Sequence, residues 1–236
     1  METLLDHMAL TEGMSYLVAL GFGLGFIGFW RYLTGHEVPA AAMAHAPGLV
    51  PQMVQGFSLP ANVFRDRGHG WATLEAGGLV RIGVDDFLPG AIGRLDAIEL
   101  PRPGDTVVAG RPAFSLVQGQ RRAVVPSPVS GVVAEVNPAL AAGPGLVKER
   151  PFSAGWVARV RPTALGEDLP RLHVAERASA WLKRETTRLR EFVLAHTANT
   201  GGALGYTMAD GGEFSKGALE SLDDEAWQSF VDGGER

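Results

Sequence analysis

Three stretches of the chain show distinct patterns of hydrophobic and polar positions. Residues 14–33 (MSYLVALGFGLGFIGFWRYL) are uncharged except for Arg31, residues 71–160 contain short apolar runs between turn residues, and residues 174–196 repeat apolar positions at helical spacing. These patterns predict a membrane-spanning helix, a set of short β-strands and an amphipathic helix, in that order. The predicted fold class is therefore mainly β, with one N-terminal transmembrane helix and a C-terminal helical extension.

The first apolar run has the length of a membrane span. As an α-helix its 20 residues would rise about 30 Å, the thickness of the hydrocarbon core. A signal peptide is the alternative, because small residues suited to cleavage follow at 40–46, but no basic residue precedes the run. The only Lys or Arg of the run, Arg31, lies near its C-terminal end, which predicts an N-terminus outside and a β domain in the cytoplasm, in a bacterial inner membrane.

Glycine and aromatic residues add two features to this predicted helix. Glycines four residues apart allow another membrane helix to approach closely, and aromatic and basic residues suit the membrane–water interface. The candidate helix-packing residues are Gly21, Gly25 and Gly28, and the candidate membrane-interface residues are Trp30, Arg31 and Tyr32.

Strand-forming runs begin after a segment, 35–61, whose Ala, Pro and Gly content predicts a linker. The runs recur about every 8 to 12 residues, a spacing typical of a β-sandwich or barrel. Between the second and third runs, DDFLPGAIG predicts a short helix with Asp85 and Asp86 as N-terminal caps. The runs are 71–75, 79–83, 97–100, 106–108, 113–117, 121–125, 131–136 and 156–160.

Motifs in this region resemble those of the glycine-cleavage H proteins. In chain order they are HGW at 69–71, IGVDDF at 82–87, LDAIELP at 95–101, PGDTV at 103–107, PVSGVV at 128–133 and PFSAGW at 151–156. The resemblance implies a lipoyl-type barrel-sandwich hybrid. The predicted domains are 1–13, an extracytoplasmic segment; 14–34, the transmembrane helix; 35–61, the linker; 62–163, the H-protein-like β domain; and 164–236, an amphipathic helix and extended tail.

The resemblance also implies a missing carrier group. H proteins hold lipoate on a lysine at a hairpin tip, eight residues before the PVSG motif, and here that position is Gln120. The three lysines of the chain, Lys148, Lys183 and Lys216, lie outside this hairpin. The resemblance therefore implies a chain without lipoate. Arg121 and Arg122 beside the tip fit either an exposed turn or a docking site for carboxylates or anionic lipid.

Composition narrows the chemistry further. The chain has no cysteine, which excludes disulfides and thiolate sites, and its net charge of −5 argues against nucleic acid as a partner. Its six histidines show no paired ligand spacing, and no catalytic motif is present. We predict no enzyme activity, catalytic residue, cofactor or metal. A contact from His36 or His45 to a quinone or haem of another subunit is kept as an alternative.

The region after the strands predicts two helices. Trp181, Leu182 and Leu189 mark the apolar side of the first, whose other side is densely charged. A second, short helix is predicted after Ser221, with Ser221 and Asp224 in a capping-box-like start. The candidate docking residues of the chain are Gln120, Arg121, Arg122, Trp227 and Phe230.

These patterns lead to one functional prediction with alternatives. We predict a non-catalytic single-span accessory or scaffold subunit of a bacterial membrane electron-transfer complex, respiratory or photosynthetic. Its expected partners are integral membrane subunits and the lipid bilayer. The alternatives are a membrane-tethered carrier, modified elsewhere on the chain, and a ligand-sensing module derived from the lipoyl carrier fold.

Overall fold

The computed structural model describes Phe26, residues 52–198 and residues 217–233. The chain forms two compact units, 1–47 and 48–236. Phe26, the one described residue of the first unit, is helical. All elements named below belong to the second unit.

Eleven strands occur in the described part of the second unit, and they pair antiparallel in three sheets. The sheets have the strand orders β1-β2, β3-β4-β5-β11-β10-β7 and β6-β8-β9. The strands are β1 Gln52–Val54, β2 Phe57–Leu59, β3 Phe64–Arg65, β4 Gly70–Leu74, β5 Val80–Val84, β6 Ala97–Glu99, β7 Thr106–Val107, β8 Pro112–Gln118, β9 Arg121–Pro126, β10 Gly131–Val136 and β11 Ala158–Pro162.

Helices lie between and after the strands. They are α1 Phe87–Ile92, α2 Ala139–Ala142, α3 Leu146–Glu149, α4 Leu165–Asp168, α5 Ala175–Ala198 and α6 Asp224–Asp232, with a 3₁₀ turn at Leu169–Arg171. The apolar side of α5 is buried in the same core as the strands, through Trp181, Leu182 and Leu189. The helix thereby becomes part of the domain rather than an appendage to it.

The core is closed around Trp71 on β4. Its side chain is fully buried, and its indole nitrogen donates to the carbonyl oxygen of Val84 at 2.9 Å. Gly83 is the register partner of Trp71 on β5, and a Cβ atom added there would lie 2.7 Å from the indole ring. The glycine therefore provides the space that the indole occupies.

The β-strand and helix predictions are confirmed in this part of the chain. Every predicted run overlaps a strand, and the predicted helix at 174–196 is α5. Asp85 Oδ1 accepts from the main-chain nitrogens of Phe87 and Leu88 at the start of α1, as predicted, whereas Asp86 Oδ2 accepts from the nitrogen of Ser58.

Two boundaries differ from the prediction. The β1–β2 hairpin lies inside the predicted linker 35–61, because residues 55 and 56 form a tight turn in which both backbones have positive φ. The last helix is capped by Asp223 rather than from Ser221: Asp223 Oδ1 accepts from the nitrogen of Ala226 at 2.8 Å. A carboxylate is the stronger acceptor for the free N–H groups of a helix start.

The fold class needs one correction. The transmembrane helix predicted over 14–34 lies outside the described residues except for Phe26, and no helix in the described part of the chain is long and apolar enough to cross a membrane. The fold that the structure supports is mainly β, and the transmembrane part of the predicted fold class has no support in the described residues. The helix-packing and interface residues Gly21, Gly25, Gly28, Trp30, Arg31 and Tyr32 also lie outside the described residues.

Candidate functional site

The β8–β9 hairpin ends in a two-residue turn, Gly119-Gln120, closed by the register partners Gln118 and Arg121. Gly119 has a φ of +59°, the left-handed value that glycine adopts freely and that a type II′ hairpin turn requires at its first central position. Asp96 Oδ2 accepts a hydrogen bond from the nitrogen of Gly119 at 2.7 Å. The turn is therefore stabilised by the conformation of its own glycine and by the hydrogen bond to Asp96, which directly precedes β6.

Gln120 is exposed at the second position of this turn. The preceding Gln118 is buried, and its Nε2 donates to the carbonyl oxygens of Ile92 and Arg94, both at 3.0 Å. These bonds tie the hairpin to the end of α1. The tip consequently projects the primary amide of Gln120, which is not an acylation site comparable to a lysine amine.

Neither of the two described lysines belongs to the hairpin. Lys148 on α3 donates from Nζ to the carbonyl oxygen of Gly93 at 2.6 Å. Lys183 is exposed on α5, and Lys216 lies outside the described residues. Neither described lysine projects from the hairpin turn.

The hairpin arginines bind acidic residues of the chain itself. Arg121 Nε is 2.7 Å from Asp224 Oδ1, and its guanidinium lies over the Trp227 ring at 5.8 Å from the centroid. Arg122 Nη1 is 2.5 Å from Glu99 Oε1, in an ion pair exposed to solvent. Of the two arginines beside the turn, Arg121 is thus bound by the C-terminal region, whereas Arg122 lies on the solvent-exposed side of the hairpin.

The aromatic docking candidates are buried within the same chain. Trp227 and Phe230 on α6 are 0% and 1% exposed, and α6 packs against β9 and α5. Phe230 makes an edge contact with Phe192, with ring centroids 5.2 Å apart. In this structure their binding surface is the chain's own domain, and docking of either side chain to another protein stays a prediction.

A buried network of charges joins the start of the β domain to α5. Asp85 Oδ2 lies 3.2 Å from both Arg65 Nη1 and His69 Nδ1, while Nε2 of His69 lies 3.5 Å from Glu185 Oε1. Arg188 Nη2 completes the network with a short ion pair to Glu185. All of these side chains except that of Arg188 are at least nine-tenths buried, where unpaired charges would be costly.

The electrostatics of this network keep His69 protonated. Burial by itself would lower the pKa of His69, but the charge and hydrogen bond of Asp85, together with Glu185, raise the pKa to about 9. Burial would likewise raise the pKa of Glu185, but hydrogen bonds from His69 and Arg188 lower it to about 2. An imidazolium between two carboxylates is therefore the stable state at neutral pH.

Sequence analysis missed Glu185 as a buried residue. The charge density of α5 placed it with the solvated side, yet its spacing from Trp181 and Leu189 puts it on the same helical face as both. That spacing was the available signal. The histidine of the HGW motif, His69, then provides the buried partner that a glutamate on this face needs.

The arrangement contains no evident reaction centre in the part of the chain that is described. Residues 52–198 and 217–233, with Phe26, contain no group of three acidic or histidine side chains positioned to hold a metal ion. His69 is enclosed by Phe87, which stacks on its ring at 5.0 Å, and by Trp181. The aromatic rings consequently shield the network from substrates, and the network stabilises the packing of α5 on the β domain.

Comparisons with known proteins agree on one family. The family model described as Glycine cleavage H-protein matches residues 63–185. The glycine cleavage system H protein 2 of Aquifex aeolicus is 30% identical over 148 residues, covering 62% of this chain and 88% of the relative. The glycine cleavage system H protein of Methylococcus capsulatus is 39% identical over 110 residues, covering 47% of this chain and 86% of the relative.

A solved structure matches as well. The crystal structure of a glycine cleavage system H protein from Mycobacterium marinum has a TM-score of 0.46 and 30% sequence identity. The match covers 53% of this chain and 98% of the other.

These comparisons overturn the functional prediction. The relatives carry the name of the glycine cleavage system, so the predicted scaffold of a respiratory or photosynthetic electron-transfer complex is wrong. The predicted partners, integral membrane subunits and the bilayer, are wrong on the same finding, and so is the predicted inner-membrane localisation. The alternatives of a membrane-tethered carrier and a ligand sensor are not favoured either.

Proposed function

The chain belongs to the glycine cleavage H-protein family, and on this premise we propose that it is a non-catalytic member that carries no lipoyl group on its β8–β9 hairpin. It binds an enzyme of the glycine cleavage type through the H-protein surface alone. Where a lipoylated H protein is present, it competes with that protein for the same enzyme. The prediction that the chain itself has no enzyme activity is consistent with its membership of this family.

The observation that carries the proposal is Gln120 at the hairpin turn. Gln120 is exposed there, eight residues before the PVSG motif, where the family resemblance expects the acylated lysine. The register of β8 and β9 is fixed from Pro112 to Pro126, and neither strand nor the turn between them contains a lysine. A shift of the alignment by one or two residues therefore does not supply the missing amine.

The proposed docking role rests on the structure of the β8–β9 hairpin tip, where the lipoyl group is missing. The hairpin tip is held in one conformation by the glycine of its turn, by the hydrogen bond to Asp96 and by the bonds of Gln118 to the end of α1. A tip held in this way presents its exposed side chains to a partner at fixed positions. Arg122 is paired with Glu99, but 61% of its side chain is accessible, so its guanidinium can also bind a carboxylate on the partner.

Competition in a reconstituted glycine cleavage reaction tests the docking role. Added to a limiting amount of a lipoylated H protein, this chain should raise the apparent KM for that H protein and leave kcat unchanged, because both bind one surface. The variant Arg122→Glu should compete several-fold less well, while Lys183→Glu, an equally exposed change on α5, should compete like the parent chain. Equal turnover with and without a large excess of the chain would refute the docking role.

The turn itself can be tested by restoring the amine. In the presence of a lipoate ligase, Gln120→Lys should gain a lipoyl group, because it places an amine at the exposed turn position where the family resemblance expects the acylated lysine. Arg122→Lys offers an exposed lysine on the same hairpin two residues away and should stay unmodified. Equal modification of both variants would show that lipoylation does not require the position of residue 120 in the turn.

A further inference from the structure

The last described segment of the chain lies outside the region that the family model matches. The match ends at residue 185, whereas residues 217–233 follow after α5 and a connection at 199–216. We call residues 217–233, which include α6, the C-terminal latch. The latch therefore lies beyond the part of the chain that the family model matches.

The latch begins on the end of α1. The nitrogens of Gly217 and Leu219 donate to the carbonyl oxygens of Gly90 and Ala91, at 2.8 and 2.9 Å. Carbonyl groups in the last turn of a helix lack partners within the helix, so they are available to a second chain segment. The latch therefore binds main-chain groups that the domain leaves free.

The middle of the latch binds the β8–β9 hairpin. Arg121 donates from Nε to Asp224 Oδ1 and from Nη2 to the carbonyl oxygen of Leu222, both at 2.7 Å. Its guanidinium also lies over Trp227. One arginine beside the turn thus recognises the start of α6 in three ways.

The far end of the latch binds α5. Arg188 donates from Nη1 to the carbonyl oxygen of Phe230 at 3.2 Å, and its guanidinium lies 3.9 Å from the centre of the Phe230 ring. Asp224, Trp227 and Phe230 are spaced three residues apart, so they follow one side of α6. The domain surface consequently fits a short helix with an acidic residue followed by two aromatic residues at this spacing.

Burial of apolar latch side chains in the domain core, with Leu219 and Trp227 both 0% exposed, favours the docked state. Three other features limit the strength of docking. The nine residues of α6 are too few for a stable helix in isolation, so the segment must order itself when it binds. Trp227 Nε1 is buried without a hydrogen-bond partner among the described residues, and release would return it to water. The Arg121 ion pair is partly open to solvent, since 83% of the Asp224 side chain is accessible.

We infer that the C-terminal latch is a detachable helical ligand of its own domain, and that its release uncovers β9 and Arg121 beside the hairpin turn. The connection at 199–216 raises the local concentration of the latch and favours the docked state. The consequence for docking rests on the proposed function of the hairpin: an enzyme that approaches along β9 must first displace the latch.

Exchange of the latch after cleavage of its connection tests the inference. A protease site is placed within 199–216 of the full chain, the folded protein is cut, and a fluorescent peptide of residues 217–236 is added. The cut segment should stay bound and should then be replaced by the labelled peptide. Binding to the Arg121→Ala protein should be about 10- to 100-fold weaker, the loss expected for two charge-assisted hydrogen bonds and a ring contact.

A matched control uses the neighbouring arginine. Arg122→Ala removes an exposed ion pair to Glu99 that does not touch the latch, so its peptide affinity should equal that of the parent chain. A segment that never exchanges while the domain stays folded, a segment that is lost and does not rebind, or equal losses in both variants would each overturn the inference. Peptide exchange does not depend on lipoylation, so this inference and the proposed function can fail separately.

Discussion

Nε2 of His69 lies 3.5 Å from Oε1 of Glu185, across the boundary between the first strands of the β domain and the long helix α5. The contact joins the HGW motif to the last residue matched by the family model. His69 also has a φ of +68°, a left-handed backbone conformation that costs a non-glycine residue energy. The Asp85 and Glu185 contacts, together with the hydrogen bond from the nitrogen of Asp85 to the His69 carbonyl oxygen, hold it there.

Loss of the proton from His69 should lower the stability of the domain at alkaline pH. Its pKa is raised from 6.5 to about 9 in the folded chain, so the folded state binds the proton more tightly than the unfolded state. The stabilisation is complete below pH 6.5 and is lost as the pH rises through about 9. Urea denaturation at pH 6 and pH 9.5 measures the difference in the free energy of unfolding.

The variant His69→Asn provides the control for this pH dependence. Asparagine tolerates the left-handed backbone better than most residues but does not titrate. Its stability should be lower at pH 6 and should change much less between the two pH values. A parent chain whose unfolding free energy is constant over this range would contradict the proposed charge state of His69.

Removing the charge of Glu185 should destabilise the domain strongly. Glu185→Gln leaves His69 and Arg188 with one carboxylate fewer, and breaking a buried ion pair typically costs about 3 kcal/mol or more. Glu191→Gln, an exposed change on the same helix, should alter the unfolding free energy by less than about 0.5 kcal/mol. Thermal or chemical unfolding of both variants measures the contrast, and equal effects would show that the network does not hold α5.

Space for Trp71 depends on Gly83. A methyl group at position 83 would meet the indole ring at 2.7 Å, so Gly83→Ala should reduce stability by about 1 to 3 kcal/mol. Gly166→Ala is the matched control, because Gly166 lies in α4 and no atom of the described residues would lie within 4 Å of a Cβ atom added there. That change should be neutral or slightly stabilising. Melting temperatures measure the contrast, and equal values for the two variants would contradict this role of Gly83.

The β domain was predictable because each local signal agreed with the tertiary fold. Turn residues such as Gly104 and Gly119 stand between runs whose alternate side chains are buried, as in β8, where Phe114 and Leu116 face the core. Local pattern and tertiary packing then specify the same strands. The resemblance added the position of Gln120, which no periodicity would have singled out.

The remaining features depend on contacts that are distant in sequence. Burial of Glu185 requires His69, more than 100 residues earlier, and burial of Trp227 requires β9 and α5. Local patterns predicted an amphipathic α5 with a densely charged side and a short α6, but not the partners that bury these residues. The electron-transfer prediction combined the apolar run at 14–33 with a carrier fold lacking its lysine and with the terminal segments, whereas the β domain alone identified the family.

Intact-mass measurement of the chain purified from cells that lipoylate their H proteins is the most direct test of the central claim. A co-purified lipoylated H protein from the same cells shows that the modification machinery is active. We predict that this chain has the mass of its unmodified sequence while that H protein has the lipoyl mass. A lipoyl-sized adduct on this chain, mapped to any of its residues, would contradict the claim that it is a family member without a lipoyl group.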